Sequence, residues 1–169
     1  TENKYGVKSL RGVTNEGIFD TSKANTIDLN FTNYKIFAKN QFAYNPARIN
    51  IGSIAINQDT EVIISPMYVV FEVTSKDDGK YVILPEFLNI WFRRKEFQRS
   101  TRFYATGSVR DIFDFNLMKE TQVPMPPLEI QHSIVNLYYC LEEAKSIASS
   151  ARDQLKALCS TLVQKAINS

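Results

Sequence analysis

The chain has 169 residues, of which 44% are hydrophobic and 12% aromatic, which is enough apolar material for the core of one ordinary domain. Its 20 lysines and arginines against 18 aspartates and glutamates give a formal net charge of only +2, so any basic surface for a nucleic acid must be local. No apolar run approaches the roughly 18 residues of a membrane span and the first residues carry no signal-peptide segment, so we expect a cytoplasmic protein without a membrane partner.

As far as about Glu120, the sequence predicts a compact domain of mixed strands and helices. β-Branched and aromatic residues are frequent there, and turn signals such as Asn45-Pro46 separate them. Four strands are predicted from these patterns, at Tyr34 to Ala38, Gly52 to Asn57, Glu61 to Ile64 and Met67 to Val73.

One helix is predicted within this domain, from Pro85 to Arg99. Its apolar residues share one face at a spacing of three to four, and they are Phe87, Leu88, Trp91 and Phe92. Its basic residues gather toward the C-terminal end, where the helix dipole favours cations.

The prolines of Val123-Pro124-Met125-Pro126-Pro127 predict an extended connection, because proline interrupts both helix and central strand. We interpret the segment as a stiff linker that positions the following helix, with a PxxP-type peptide ligand as the alternative. The predicted domains are therefore residues 1–123, a globular domain, and residues 124–169, a proline junction followed by a long helix.

The predicted C-terminal helix runs from Glu129 to about Asn168, without glycine or proline. Its apolar residues recur at alternating steps of four and three, the heptad pattern of a coiled coil, at Ile130, Ile134, Leu137, Leu141, Ala144, Ala148, Ala151, Leu155, Leu158 and Leu162. At 1.5 Å per residue the helix would be roughly 58 Å long, more than one face of a small domain covers. We therefore expect the seam to pair with another helix, and a helix that folds back on its own domain is the alternative. The predicted fold class is α+β, a mixed α/β domain followed by a coiled-coil helix.

Motifs for catalysis or metal binding are not evident in the sequence. Cys140 and Cys159 fall in the same predicted helix, too far apart to bond within it, and His132 is the single histidine, so neither a zinc site nor a nucleophilic pair is supported. No phosphate-binding glycine loop is present. Glu72 with Lys76 leaves a small metal-dependent nuclease as a weak alternative. We predict a chain without a catalytic or metal site.

Two clusters of basic and amide residues, interleaved with aromatic residues, have the composition of a surface that contacts phosphates and base edges. The first cluster, suited to bidentate contacts with bases, is Arg48, Asn50, Asn57 and Gln58. The second, suited mainly to phosphates, is Arg93, Arg94, Lys95, Arg99, Arg102, Tyr104, Thr106, Ser108 and Arg110. For each of the two clusters, the alternative is an ordinary solvent-exposed surface that binds no nucleic acid.

Along almost its whole length the chain resembles the specificity subunits of type I restriction-modification systems. One part of the resemblance is the stretch FAYNPARINIGSI at 42–54, followed by ISPMYVVF at 64–71. The glycine-containing segment at 107–110 and the junction VPMPPLEIQ at 123–131 form the second and most specific part. The long heptad helix that follows is the third.

The resemblance implies that the globular domain recognises one half of a split DNA target and that the helix pairs with a second specificity half in an antiparallel coiled coil. It also implies partner methyltransferase subunits, and S-adenosylmethionine would be bound by these subunits and not by this chain. Whether a restriction subunit is a further partner stays open. Typical members have two recognition domains and two helices, whereas this sequence has one of each. A half-subunit that forms a homodimer and a fragment of a longer chain are both consistent with that difference, and a coiled-coil adaptor that binds protein instead of DNA is the alternative function.

Overall fold

A computed structural model of the chain describes residues 9–17, 19–21, 30–58, 60–74, 82–105 and 112–167. The fold is α+β, as predicted, with two small sheets and a long C-terminal helix. The chain divides into two compact units, Thr1–Gln131 and His132–Ser169.

Seven strands of the described residues form the two sheets of the first unit. In chain order they are β1 (Leu10–Val13), β2 (Phe19–Thr21), β3 (Lys35–Phe37), β4 (Gln41–Tyr44), β5 (Ile54–Ile56), β6 (Val62–Ile64) and β7 (Val69–Glu72). The first sheet has the order β2-β1-β6-β3, in which β1 and β6 are parallel and the other pairs antiparallel. The second sheet has the order β5-β4-β7 and is antiparallel throughout.

The second sheet is the middle layer of the first unit, because its side chains alternate between two separate apolar clusters. On β4, Phe42 and Tyr44 belong to the cluster that contains the helices, whereas Ala43 between them faces the first sheet. The same alternation on β5 sends Ile54 to the helices and Ala55 to the first sheet. Small residues on the inner face let the two sheets approach closely, and large ones on the other face fill the space under the helices.

Three helices of the first unit follow the sheets, namely α1 (Pro85–Phe92), α2 (Lys95–Tyr104) and α3 (Phe115–Glu120). The predicted single helix from 85 to 99 is therefore wrong. Arg94 has an extended backbone with ψ of 141°, which ends the hydrogen-bonding pattern of α1 and makes Arg94 the N-cap of α2. The bend allows Phe97 to pack against both Trp91 and Phe92, with ring centroids 5.0 Å apart in each pair. Lys95 consequently begins a helix, where the helix dipole does not favour a cation.

Gln131 joins the proline junction to the segment that precedes α1. Its side chain is completely buried, and its Oε1 accepts a hydrogen bond from the backbone N–H of Leu84 at 2.8 Å. Its Nε2 donates to the carbonyl oxygens of Val82 at 3.0 Å and Pro126 at 2.8 Å. Both amide hydrogens and the amide oxygen are thus used, in a position where an unpaired polar group would be costly.

The long helix α4 spans Leu128–Ile167, close to its predicted limits, and its 40 residues correspond to about 60 Å. The second unit, His132–Ser169, consists of the greater part of this helix. The apolar seam residues of α4 are exposed at every predicted position, and the leucines at 137, 155, 158 and 162 are each more than 60% exposed. Among the described residues, no helix combines the length and the apolar character needed to cross a membrane.

Candidate nucleic-acid interface

The motif that begins at Tyr44 forms a tight turn that presents Arg48 and Asn50. Asn45 is only 6% exposed, and its Oδ1 accepts a hydrogen bond from the N–H of Ala47 at 3.0 Å. The carbonyl oxygen of Asn45 accepts from the N–H of Arg48, also at 3.0 Å. The turn leads into a short 3-10 helix, Ile49–Ile51, with the exposed Arg48 as its N-cap and Asn50 partly exposed within it. Asparagine suits this place because its side chain bonds to the backbone two residues later.

Tyr44 itself supports the turn from the core and does not reach the surface. Its ring is fully buried and meets the ring of Phe113 edge-on, with centroids 6.5 Å apart. Burial, with a smaller contribution from the charge of Asp114, raises the pKa of Tyr44 well above its usual value, so the phenol stays neutral.

Gly52 ends the 3-10 helix in the left-handed region, with φ of 96°. A side chain there would also collide, since a Cβ would lie 2.4 Å from the backbone oxygen of Asn15 and 3.0 Å from Nε2 of Gln98. Gln98 belongs to α2, which packs against the 3-10 helix. The end of the 3-10 helix is therefore fixed by a close backbone approach to Asn15, which only glycine permits, and by its packing against α2.

α2 has a buried face and a basic face. Phe97, Gln98 and Thr101 are buried, whereas the basic face, defined by its three exposed cations four and three residues apart, is Lys95, Arg99 and Arg102. The Arg99 side chain is 79% exposed and therefore takes no part in the packing of the buried face. Arg94, at the N-cap, and Tyr104, at the last residue of α2, are also exposed.

Glu96 lies among these cations and pairs with two of them. Its carboxylate is 3.4 Å from Nε of Arg94 and 4.0 Å from a terminal nitrogen of Arg99. A hydrogen bond from its own backbone N–H, and then the neighbouring arginines, hold the pKa of Glu96 below its usual value. All three side chains are at least half exposed, so the pairs are weak and salt-sensitive, and a phosphate can replace Glu96 at Arg99.

Arg93, predicted to contact DNA, also makes a contact within the fold. It is only partly exposed, and one of its terminal nitrogens donates to the carbonyl oxygen of Gly52 at 3.2 Å. The same guanidinium occupies the space where a Cβ of Gly17 would lie. Arg93 thus joins the end of α1 to the turn at Gly52 and lies against Gly17.

Asn57, also predicted to contact DNA, has its side chain inside the fold. It is only 3% exposed, and its Nδ2 donates to the carbonyl oxygens of Phe37 at 2.9 Å and Thr60 at 3.1 Å. An amide used in this way does not reach a base edge. Gln58 beside it is exposed. The remaining predicted contacts, Thr106, Ser108 and Arg110, lie outside the described residues.

Phe103 is a surface residue that the sequence interpretation did not include. It is 74% exposed and follows Arg102 directly, four residues after Arg99. The sequence carried a signal for it, because Phe103 falls outside the face that Phe97 and Thr101 define on α2. An exposed aromatic ring among arginines is typical of surfaces that contact nucleic acids.

No protein-family model matches this sequence, and no curated protein matches it significantly either. The 3-10 helix that follows Arg48 and contains Asn50 packs against α2, whereas Arg93 is only partly exposed and Asn57 is buried.

Proposed function

We propose that this chain is a sequence-specific DNA recognition subunit, or half of one, in a type I restriction-modification complex. The observation that carries the proposal is the packing of α2, which has a basic face, against the 3-10 helix, which carries Asn50 and has the exposed Arg48 at its N-cap. Phosphate contacts and base contacts need to come from one continuous surface, because the former fix the register in which the latter recognise sequence.

The two parts of this surface have different chemistry. Lys95, Arg99 and Arg102 lie on successive turns of one helix face, a spacing suited to following a phosphate backbone. Arg48 and Asn50 have the side chains that form bidentate contacts with guanine and adenine in the major groove. In the proposed complex the cations hold the duplex and the 3-10 helix supplies sequence preference.

The proposed function also requires partner proteins, which pair with α4 or carry out the methylation. The exposed seam of α4 would pair with a second specificity half, either a second copy of this chain or another part of a longer one, and this pairing would set the distance between two half-sites. Methyltransferase subunits would supply S-adenosylmethionine and carry out base flipping and methylation, so the proposal assigns no catalytic step to this chain. A protein-binding adaptor without DNA affinity is the alternative, favoured by the same exposed seam.

Replacing Lys95, Arg99 and Arg102 together with alanine should make duplex binding less sensitive to salt. Each phosphate contact contributes about 0.9 to the slope of log K against log salt, so three lost contacts should reduce the slope by up to about 2.7. The measurement is fluorescence anisotropy with a labelled duplex over a salt series.

The matched control replaces three cations on α4, Lys145, Arg152 and Lys156, with alanine, and the slope should stay as in the parent. A basic-face triple variant with the parent slope would remove α2 from the interface. If the parent chain fails to bind any duplex at low salt, the adaptor alternative replaces the DNA-recognition proposal.

Arg48→Ala should relax the sequence preference at one base pair. The slope of log K against log salt should fall by at most about 0.9, the contribution of one phosphate contact. The loss of a bidentate contact costs about 1 to 3 kcal/mol of discrimination, which is about 5- to 150-fold between the preferred base and the others. Selection from a random duplex library, with parent and variant side by side, measures this preference. An unchanged selected sequence would place base recognition away from the 3-10 helix.

A further inference from the structure

The turn between β1 and β2, at residues 14–17, presents two side chains that the predicted DNA contacts did not include. The N–H of Gly17 donates to the carbonyl oxygen of Thr14 at 3.0 Å, and the N–H of Glu16 donates to the hydroxyl oxygen of Thr14 at 3.2 Å. Gly17 takes the left-handed backbone that glycine adopts readily, with φ of 71°. These bonds define a turn whose central residues, Asn15 and Glu16, are exposed.

The β1–β2 turn approaches the end of the 3-10 helix through its backbone. A Cβ at Gly52, the residue that ends the 3-10 helix, would lie 2.4 Å from the backbone oxygen of Asn15. A Cβ at Gly17 would lie 2.7 Å from the carbonyl oxygen of Ile54. Arg93 lies against Gly17 and donates to the carbonyl oxygen of Gly52, so it contacts both sides of this approach. The turn and the end of the 3-10 helix are therefore packed together at two points.

This packing limits the distance between the β1–β2 turn and Asn50. Asn50 is two residues before Gly52, and consecutive Cα atoms are about 3.8 Å apart. Together with the backbone approach of Asn15 to Gly52, this places the Cα atoms of Asn15 and Asn50 at most about 14 Å apart. Successive bases of one strand are about 3.4 Å apart, so 14 Å corresponds to about four base pairs. Both residues can therefore contact one short half of a DNA target.

The side chains of Asn15 and Glu16 are of the kind that recognises bases. An asparagine amide forms a bidentate contact with adenine in the major groove, and a glutamate carboxylate accepts a hydrogen bond from the amino group of cytosine. Arg48 and Asn50 offer contacts with guanine and adenine, so Glu16 adds a contact with a third base. Because a carboxylate repels phosphates, Glu16 weakens binding to any duplex that does not present this amino group.

We infer that Asn15 and Glu16 are specificity-determining residues, and that the β1–β2 turn recognises base edges near those that the 3-10 helix recognises. The inference rests on the proposed function, because it adds these two residues to the DNA surface that contains Asn50. The preferred bases are adenine for Asn15 and cytosine for Glu16.

Asn15→Ala should relax the sequence preference at one base pair by about 5- to 150-fold, the loss of one bidentate contact. That base pair should lie within about four base pairs of the one that Asn50→Ala affects, because the two residues are close in the fold. Selection from a random duplex library, with the full chain and both variants side by side, measures these preferences. The matched control is Asn136→Ala, the same change at an exposed position of α4, which should select the parent sequence.

Glu16→Ala should change specificity and affinity in opposite directions. The preference for cytosine at one base pair should fall. The affinity for a duplex of unrelated sequence should rise by up to about fivefold, because one carboxylate no longer repels the phosphates. Fluorescence anisotropy with the selected duplex and with the unrelated duplex measures both quantities. Glu143→Ala removes the same charge from an exposed position of α4 and should change neither of them.

A parent chain that selects no sequence would contradict the proposed function and this inference together. If Asn50→Ala changes the selected sequence but neither Asn15→Ala nor Glu16→Ala does, base recognition by the β1–β2 turn is excluded and the proposed function stands. A preference that Asn15→Ala removes more than about four base pairs from the position of Asn50 would also exclude it, because a direct contact does not reach that far.

Discussion

Gln131→Leu is expected to lower the free energy of unfolding by about 3 kcal/mol, a large share of the stability of a domain of this size. The substitution leaves three backbone groups without their partner, namely the N–H of Leu84 and the carbonyl oxygens of Val82 and Pro126. The Gln131 side chain is completely buried, and the three hydrogen bonds that it makes are themselves partly buried, so leaving these groups unpaired is costly. Urea denaturation followed by circular dichroism measures the change, with the m-value checking that the transition stays comparable.

A second variant separates the hydrogen bonds from the volume of the side chain. Gln131→Glu keeps the shape and the acceptor for Leu84, but sets a carboxylate oxygen against the carbonyl oxygens of Val82 and Pro126, so it should also destabilise. The control is Gln154→Leu, the same change at an exposed position of α4, which should stay within about 0.5 kcal/mol of the parent. If Gln131→Leu were as mild as this control, the hydrogen bonds of Gln131 would not hold the junction.

Much of the fold follows from patterns in the sequence. The strands predicted within 34–38, 52–57, 61–64 and 67–73 are present with shorter limits, and α4 nearly matches its prediction, because a long heptad pattern without proline or glycine has few other solutions. β4 was not predicted, since Phe42, Ala43 and Tyr44 are all buried and show no apolar-polar alternation. The break at Arg94 was also missed, because the aromatic packing that requires it joins residues on both sides of the bend.

The residue types of the candidate site could be predicted from the sequence, but the positions of these residues in the fold could be predicted only in part. Exposure separates Arg48 and Arg99 from Arg93 and Asn57, yet the sequence gives all four the same chemistry. What distinguishes them is tertiary structure: Arg93 reaches the carbonyl oxygen of Gly52, and Asn57 reaches that of Phe37. Both contacts join residues that are 20 or more positions apart, beyond what local patterns indicate.

The seam of α4 has a sequence that fits an antiparallel copy of itself. Read forward, its first four residues here are Leu137, Leu141, Ala144 and Ala148. Read backward from the other end, the four are Leu162, Leu158, Leu155 and Ala151. An antiparallel pair centred between Ala148 and Ala151 would therefore place leucine on leucine toward both ends, Ala144 on Leu155 next to the centre, and alanine on alanine in the middle. Small residues at the centre allow a close approach of the two backbones, at the short end of the 8 to 10 Å range of helix pairs.

Leu141→Lys with Leu155→Lys is accordingly expected to convert a dimer of this chain into a monomer. In the antiparallel pair each dimer would hold four lysines within the seam, where the apolar partner surface gives the ammonium groups neither water nor a counter-ion. The two leucines are 52% and 62% exposed in the single chain, so their replacement removes little from the fold of one copy. Sedimentation velocity over a concentration series measures the change from dimer to monomer.

The matched control adds the same two charges outside the seam, as Ser146→Lys with Ser160→Lys, at exposed positions on the opposite side of α4. This variant should sediment as the parent does, which separates a specific loss of pairing from a general effect of added charge. A parent chain that stays monomeric at tens of micromolar would exclude self-pairing. A dimer that survives the leucine changes would show that the copies meet elsewhere, because four lysines within the apolar seam would prevent it from pairing.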